Sequence, residues 1–112
     1  MSEITGEGGS VPITPREVQM YKNEYKHGAQ LFQKALEQYT QSTNPYQQKE
    51  FQEVMDKALL VLNETAKELH NEKLQQQNAK ISSDYEKVMQ TPTDASAAEQ
   101  LHKDLDRAKK SV

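Results

Sequence analysis

From Val18 onward the apolar residues recur at steps of three and four, the spacing that lines one face of an α-helix. Val18, Tyr21, Tyr25, Gly28, Phe32, Ala35 and Tyr39 form a heptad seam, and Leu31 and Leu36 flank it. Phe51, Met55, Ala58, Leu62, Thr65 and Leu69 repeat the pattern, broadened by Val54, Leu59 and Val61. A third run follows with Leu74, Asn78, Ile81, Tyr85 and Val88, and a narrower one with Ala98, Leu101, Leu105 and Ala108. Nothing in the chain alternates with the period of two that marks a strand.

Prolines punctuate these runs. Thr14-Pro15-Arg16-Glu17 places threonine at the N-cap, proline at the first helical position and glutamate at the third, which predicts a reciprocal capping box. Asn44-Pro45-Tyr46-Gln47 and Thr91-Pro92-Thr93-Asp94 have the same form. Proline fits there because its missing N–H would be unpaired in any case. The predicted helices are therefore 15–41, 45–90 and 92–110, preceded by a flexible leader at 1–13 that holds three of the four glycines. The loop Ser42-Thr43 permits only an antiparallel return.

The middle helix contains a phase shift. Leu69 and Leu74 are five positions apart, and at ~100° per residue the apolar face swings by roughly 140°. Either the helix is straight and offers two opposed seams, or it kinks within 70–77. The middle segment is as long as its two neighbours together, so each neighbour pairs antiparallel with half of it. A straight helix gives an extended Z; a kink folds the hairpins together. The expected fold is all-α: antiparallel helical hairpins forming a three-helix bundle, or a kinked four-segment one, completed by self-association. Gly28 and Ala35 predict a close helix contact, and Tyr46 is expected to pack at the hairpin tip.

Composition makes the core thin: 34% of residues are hydrophobic and 28% charged. The net charge is −3, and no helical segment exceeds two net charges, so no basic stripe exists for a phosphate backbone. A nucleic-acid-binding regulator is accordingly disfavoured. The absence of cysteine removes disulfides and thiolate chemistry. No secretory signal and no membrane span are expected, which points to the cytoplasm, with export by a signal-independent route left open.

The sequence offers no catalytic constellation. His27, His70 and His102 fall one per helical segment without His-x-x-x-His or Glu-x-x-His spacing, so no metal site is expected. Asp104 and Asp106 read as a solvated face beside His102. Gly6, Gly8 and Gly9 lack the preceding strand of a phosphate loop. The expectation is a non-enzymatic protein without cofactor. Glu53–Lys57, Glu99–Lys103 and Asp106–Lys110 have helical ion-pair spacing, each contributing only about 0.3 kcal/mol.

More apolar seam is present than one small chain buries. That favours a protein–protein interaction module, an adaptor or chaperone holding an amphipathic helix in a groove. The alternative is a structural subunit whose seams are satisfied by identical copies. Candidate interface residues are Tyr21, Tyr25, Phe32, Leu36, Tyr39, Leu74, Ile81, Tyr85 and Val88; the competing reading of the same residues is core packing. The turn Ser42-Thr43-Asn44-Pro45 resembles that of type III secretion needle subunits, whose hairpin commonly carries Asn-Pro. Thr91-Pro92-Thr93-Asp94 leading into Ala97-Ala98-Glu99-Gln100-Leu101 is similar to the small helical chaperones of those systems. The chain departs from the needle pattern by its extra helix and by lacking a second turn proline before Asn44. The resemblance implies a secretion context, as chaperone or self-assembling subunit.

Overall fold

The computed structural model describes residues 14–112, so the predicted leader at 1–13 lies outside the described residues. Among the described residues four helices follow one another: α1 (Pro15–Gln41), α2 (Pro45–Glu68), α3 (Glu72–Gln90) and α4 (Ala95–Lys110). Successive helices pack side by side, and α4 closes the ring against α1, giving an antiparallel four-helix bundle.

The helix ends follow local chemistry. At α1 the Glu17 N–H donates to the Thr14 hydroxyl (3.2 Å) and the Thr14 N–H to the Glu17 carboxylate (3.1 Å), completing the expected box. The box predicted at Asn44 is only half formed. Asn44 Oδ1 accepts from the Tyr46 and Gln47 N–H groups, but the Asn44 N–H donates to the Ser42 hydroxyl (3.2 Å). Ser42 in turn donates to Gln47 Oε1 (3.2 Å), so a serine relays what the glutamine was expected to do directly. Tyr46 does not pack at the tip; it is 82% exposed.

Pro92 does not open a helix. The Asp94 N–H donates to the Thr91 carbonyl (2.9 Å), closing a turn in which Pro92 is the second residue. Asp94 then caps α4 by accepting from the Ser96 and Ala97 N–H groups (2.9 and 3.4 Å). Aspartate is a strong N-cap, and proline pre-sets the second position of such a turn, so the helix begins three residues later than predicted.

The long middle helix is broken at Leu69–Asn71. The Asn71 N–H reaches the Ala66 carbonyl (3.2 Å) and the His70 N–H the Lys67 carbonyl (3.0 Å), a Schellman motif with His70 at its left-handed position, φ 51°. Asn71 immediately caps α3 by accepting from the Leu74 N–H (3.1 Å). The left-handed conformation brings a side chain's Cβ close to its own carbonyl, at about 1 kcal/mol. His70→Gly is therefore expected to raise unfolding stability by about 1 kcal/mol, and His70→Val to lower it, read by urea titration.

The break turns the second hairpin back onto the first. All four seams then meet inside: Tyr25, Phe32, Met55, Leu62, Leu74, Ile81, Val88, Leu101 and Leu105 are buried. Ala29 and Leu36, also buried, widen the inward face of α1. At Gly28 α2 comes so close that a Cβ would lie 3.1 Å from Val61 Cγ1, the expected close contact.

Several buried polar groups are paired across the helices. The Tyr25 hydroxyl donates to Asn78 Oδ1 (2.6 Å), and Asn78 Nδ2 donates to the Leu62 carbonyl (2.8 Å), tying α1, α2 and α3. The Tyr85 hydroxyl donates to Asp56 (2.6 Å), while the Tyr85 ring stands edge-on to Phe32 at 5.3 Å. Gln33 is held between the His102 carbonyl, Asp106 and Lys109. Asp106 pairs with Lys109 (3.3 Å), not with Lys110 as its spacing suggested.

Candidate functional site

Eight of the nine proposed interface residues are core. Tyr25, Phe32, Leu36, Tyr39, Leu74, Ile81, Tyr85 and Val88 are all at most 7% exposed, because the turn at His70 brings both hairpins' seams together. Tyr21 alone stays half-buried, at the open edge between α1 and the end of α2. Burial holds the Tyr25 phenol well above its ordinary range; burial and then the bond to Asp56 do the same at Tyr85. Both phenols are therefore structural donors and stay neutral in ordinary solution.

The surface that remains apolar is elsewhere, on the outer face of the α1–α2 hairpin. Here Met20 (45% exposed) and Leu31 (41%) stand out from α1 without partners in the core. They border a groove of about 850 Å³ that also takes in Gly28, Ala58 and Val61. The floor exists because Gly28 has no side chain: α2 approaches there, and Ala58 and Val61 come level with the α1 backbone. From Arg16 to Leu31 the groove runs about 22 Å along α1, at ~1.5 Å per residue. That is the length of four helical turns.

Polar residues edge this strip. Gln19, Asn23 and His27 line one side. Gly28 lies opposite Val61 in an antiparallel pair, so Arg16 sits at one end of the groove and Lys57 at the other, with Glu24 between. Two cations thus face one carboxylate. Glu64 and Glu68 lie past Val61, around Tyr21, in an adjoining polar cleft that shares Glu24 and Val61 with the groove.

The sequence carried a partial signal for this strip. Met20, His27 and Leu31 share a helix face that is off the main seam, and Leu31 was read as widening that seam. Only the position of α2 shows that the extra face is left uncovered. Among the described residues no group of three or more His, Asp or Glu side chains is placed to hold a metal ion. Nor is any described helix long and apolar enough to cross a membrane. No protein-family model, curated protein or solved structure matches this chain.

Proposed function

We propose that the protein is a non-enzymatic helical adaptor, of the kind a chaperone also exemplifies, which holds an amphipathic helix of a protein partner along the α1–α2 groove. The groove itself carries the reading: exposed Met20 and Leu31 over a small-residue floor made by Gly28 and Ala58. Contiguous apolar surface on a small, highly charged chain marks a contact site. Its length matches the helix-in-groove mode, where side chains at i, i+3, i+4 and i+7 enter one apolar channel. Methionine suits such a surface, because its unbranched chain adapts to the shape laid on it. With Arg16 and Lys57 at the two ends, the fitting occupant is a helix whose apolar stripe is bounded at both ends by carboxylates.

Fluorescence anisotropy with labelled helical peptides tests this. A peptide with a leucine stripe and glutamates at its ends is expected to bind, and the same stripe ended by lysines to bind more weakly. Leu31→Glu is expected to weaken binding at least tenfold, about 1.4 kcal/mol, with an unchanged circular dichroism spectrum. Equal weak binding of both peptides, unaffected by Leu31→Glu, would overturn the reading. Sedimentation of the chain alone addresses self-assembly. A dimer that Leu31→Glu dissociates would hand the groove to a second copy.

A further inference from the structure

Asp84 on α3 and Asp104 on α4 are 5% and 4% exposed, facing each other across the hairpin within hydrogen-bonding reach. Asp104 was expected on a solvated face; the packing of α4 on α3 buries it instead. Each carboxyl keeps one buried oxygen, Oδ2, with no hydrogen-bond donor. Two ionised carboxylates are acceptors only, so together they would leave both oxygens unsatisfied and repel each other. One proton changes both facts: it makes a donor of one group and leaves one charge on the pair.

We propose that Asp84 and Asp104 share a single proton and form an acid–carboxylate clip that fastens α3 to α4 and loosens when the proton is lost. The proton resides on Asp84. Burial, then the hydrogen bond and charge of Asp104, push Asp84 up to about 6, against the pull of Lys80 and Lys87. Burial also works to raise Asp104, but hydrogen bonds from Asp84 and Gln100, with Lys80 and Arg107, outweigh it and leave that carboxyl below its ordinary range. Gln100 Nε2 lies 3.3 Å and Arg107 3.6 Å from Asp104 Oδ1. The other neighbours of the hairpin turn their polar groups elsewhere. Asp56 of α2 accepts from Tyr85, and α1 presents neutral Gln33 to Asp106 and Lys109. Three cationic side chains around two carboxylates also argue for a proton, not a metal ion, as the shared ligand.

The signs follow from linkage. A carboxyl raised in the folded state contributes stability that is full below its unfolded value and is lost as pH rises through about 6. Asp104, lowered, contributes stability that is lost only as pH falls below the ordinary carboxylate range. The clip is closed between those limits and open at pH 8.

Asp84→Asn tests it, since an amide donates to Asp104 at every pH as the protonated acid does. At pH 8 the variant is expected to melt about 5 °C or more above the wild type, with the difference vanishing near pH 5. Parallel melting curves for the two proteins across pH 5–8, or a variant less stable at pH 8, would overturn the proposal. A second measurement needs no variant: carboxyl ¹³C shifts of the wild-type chain followed by NMR across the same range. One of the pair titrating near 6 supports the clip, and both titrating in the ordinary aspartate range sinks it.

Discussion

Replacing Phe32 with alanine is expected to lower the free energy of unfolding by about 4 kcal/mol, the largest loss any single truncation in this chain should cause. Phe32 is fully buried on the inward face of α1, and it spans the bundle to meet Tyr85 of α3 edge-on at 5.3 Å and 85° between ring planes. Removing the ring forfeits its burial and leaves a cavity in a core with little else to close it. The lost aromatic pair adds about 1 kcal/mol. Tyr85 cannot follow into the gap, because its hydroxyl is tied to Asp56 of α2 at 2.6 Å. For a domain of this size the loss is a large part of total stability. Urea titration would show it as a lower midpoint with an unchanged slope. Tyr46→Ala, at a side chain 82% exposed, should change stability by under about 0.5 kcal/mol and serves as the control. A loss below about 1 kcal/mol at Phe32 would mean that the core is not centred on the α1–α3 diagonal.

Asn78→Ala is expected to cost about 3 kcal/mol, for a different reason. Asn78 occupies an inward heptad position and is 1% exposed, yet both ends of its amide are satisfied. Its oxygen accepts from the Tyr25 hydroxyl at 2.6 Å, and its nitrogen donates to the Leu62 carbonyl at 2.8 Å. Truncation leaves the Tyr25 hydroxyl buried without an acceptor, and such an orphaned group costs about 1–3 kcal/mol on top of the cavity. The mechanism predicts non-additivity. Tyr25→Phe in the Asn78→Ala background should restore part of the loss, whereas Tyr25→Phe alone should destabilise, since it leaves the Asn78 carbonyl unpaired. If the two substitutions simply add, the hydrogen bond contributes nothing specific and the cost of Asn78→Ala is cavity alone.

These two residues also show how far the linear pattern carried. Phe32 and Asn78 were both placed on inward faces by heptad spacing, and both lie there. So do Tyr25, Met55, Leu62, Ile81, Leu101 and Leu105. Periodicity is a local property of helix geometry, and it survives whatever the helices do next. The start of α1 was equally legible, because a capping box is complete within four residues. Where a cap can be built in more than one way, the four-residue pattern does not select which one forms. Ser42 intervened at Asn44, and Asp94 displaced Pro92 as the organiser of α4.

The candidate groove was far less legible than the core. Heptad spacing marks apolar side chains as inward, and it cannot say whether the inside is this molecule's or a partner's. For Tyr25, Phe32 and Tyr85 that question was answered by His70. One residue at φ 51°, without the glycine that usually announces such a turn, reverses the chain and brings the two hairpins' seams together. The separate turn at Thr91–Asp94 folds α4 back on α3 and sets Asp84 against Asp104, residues twenty positions apart along the chain. Met20 and Leu31 are left outside because α2 approaches α1 along Gly28 and covers only part of its apolar face. Helix identity, helix ends and inward faces thus follow from contacts within a few residues of each position. Which faces meet, which carboxylates are forced together and which apolar strip stays open depend on the relative placement of whole helices, through contacts between residues tens of positions apart.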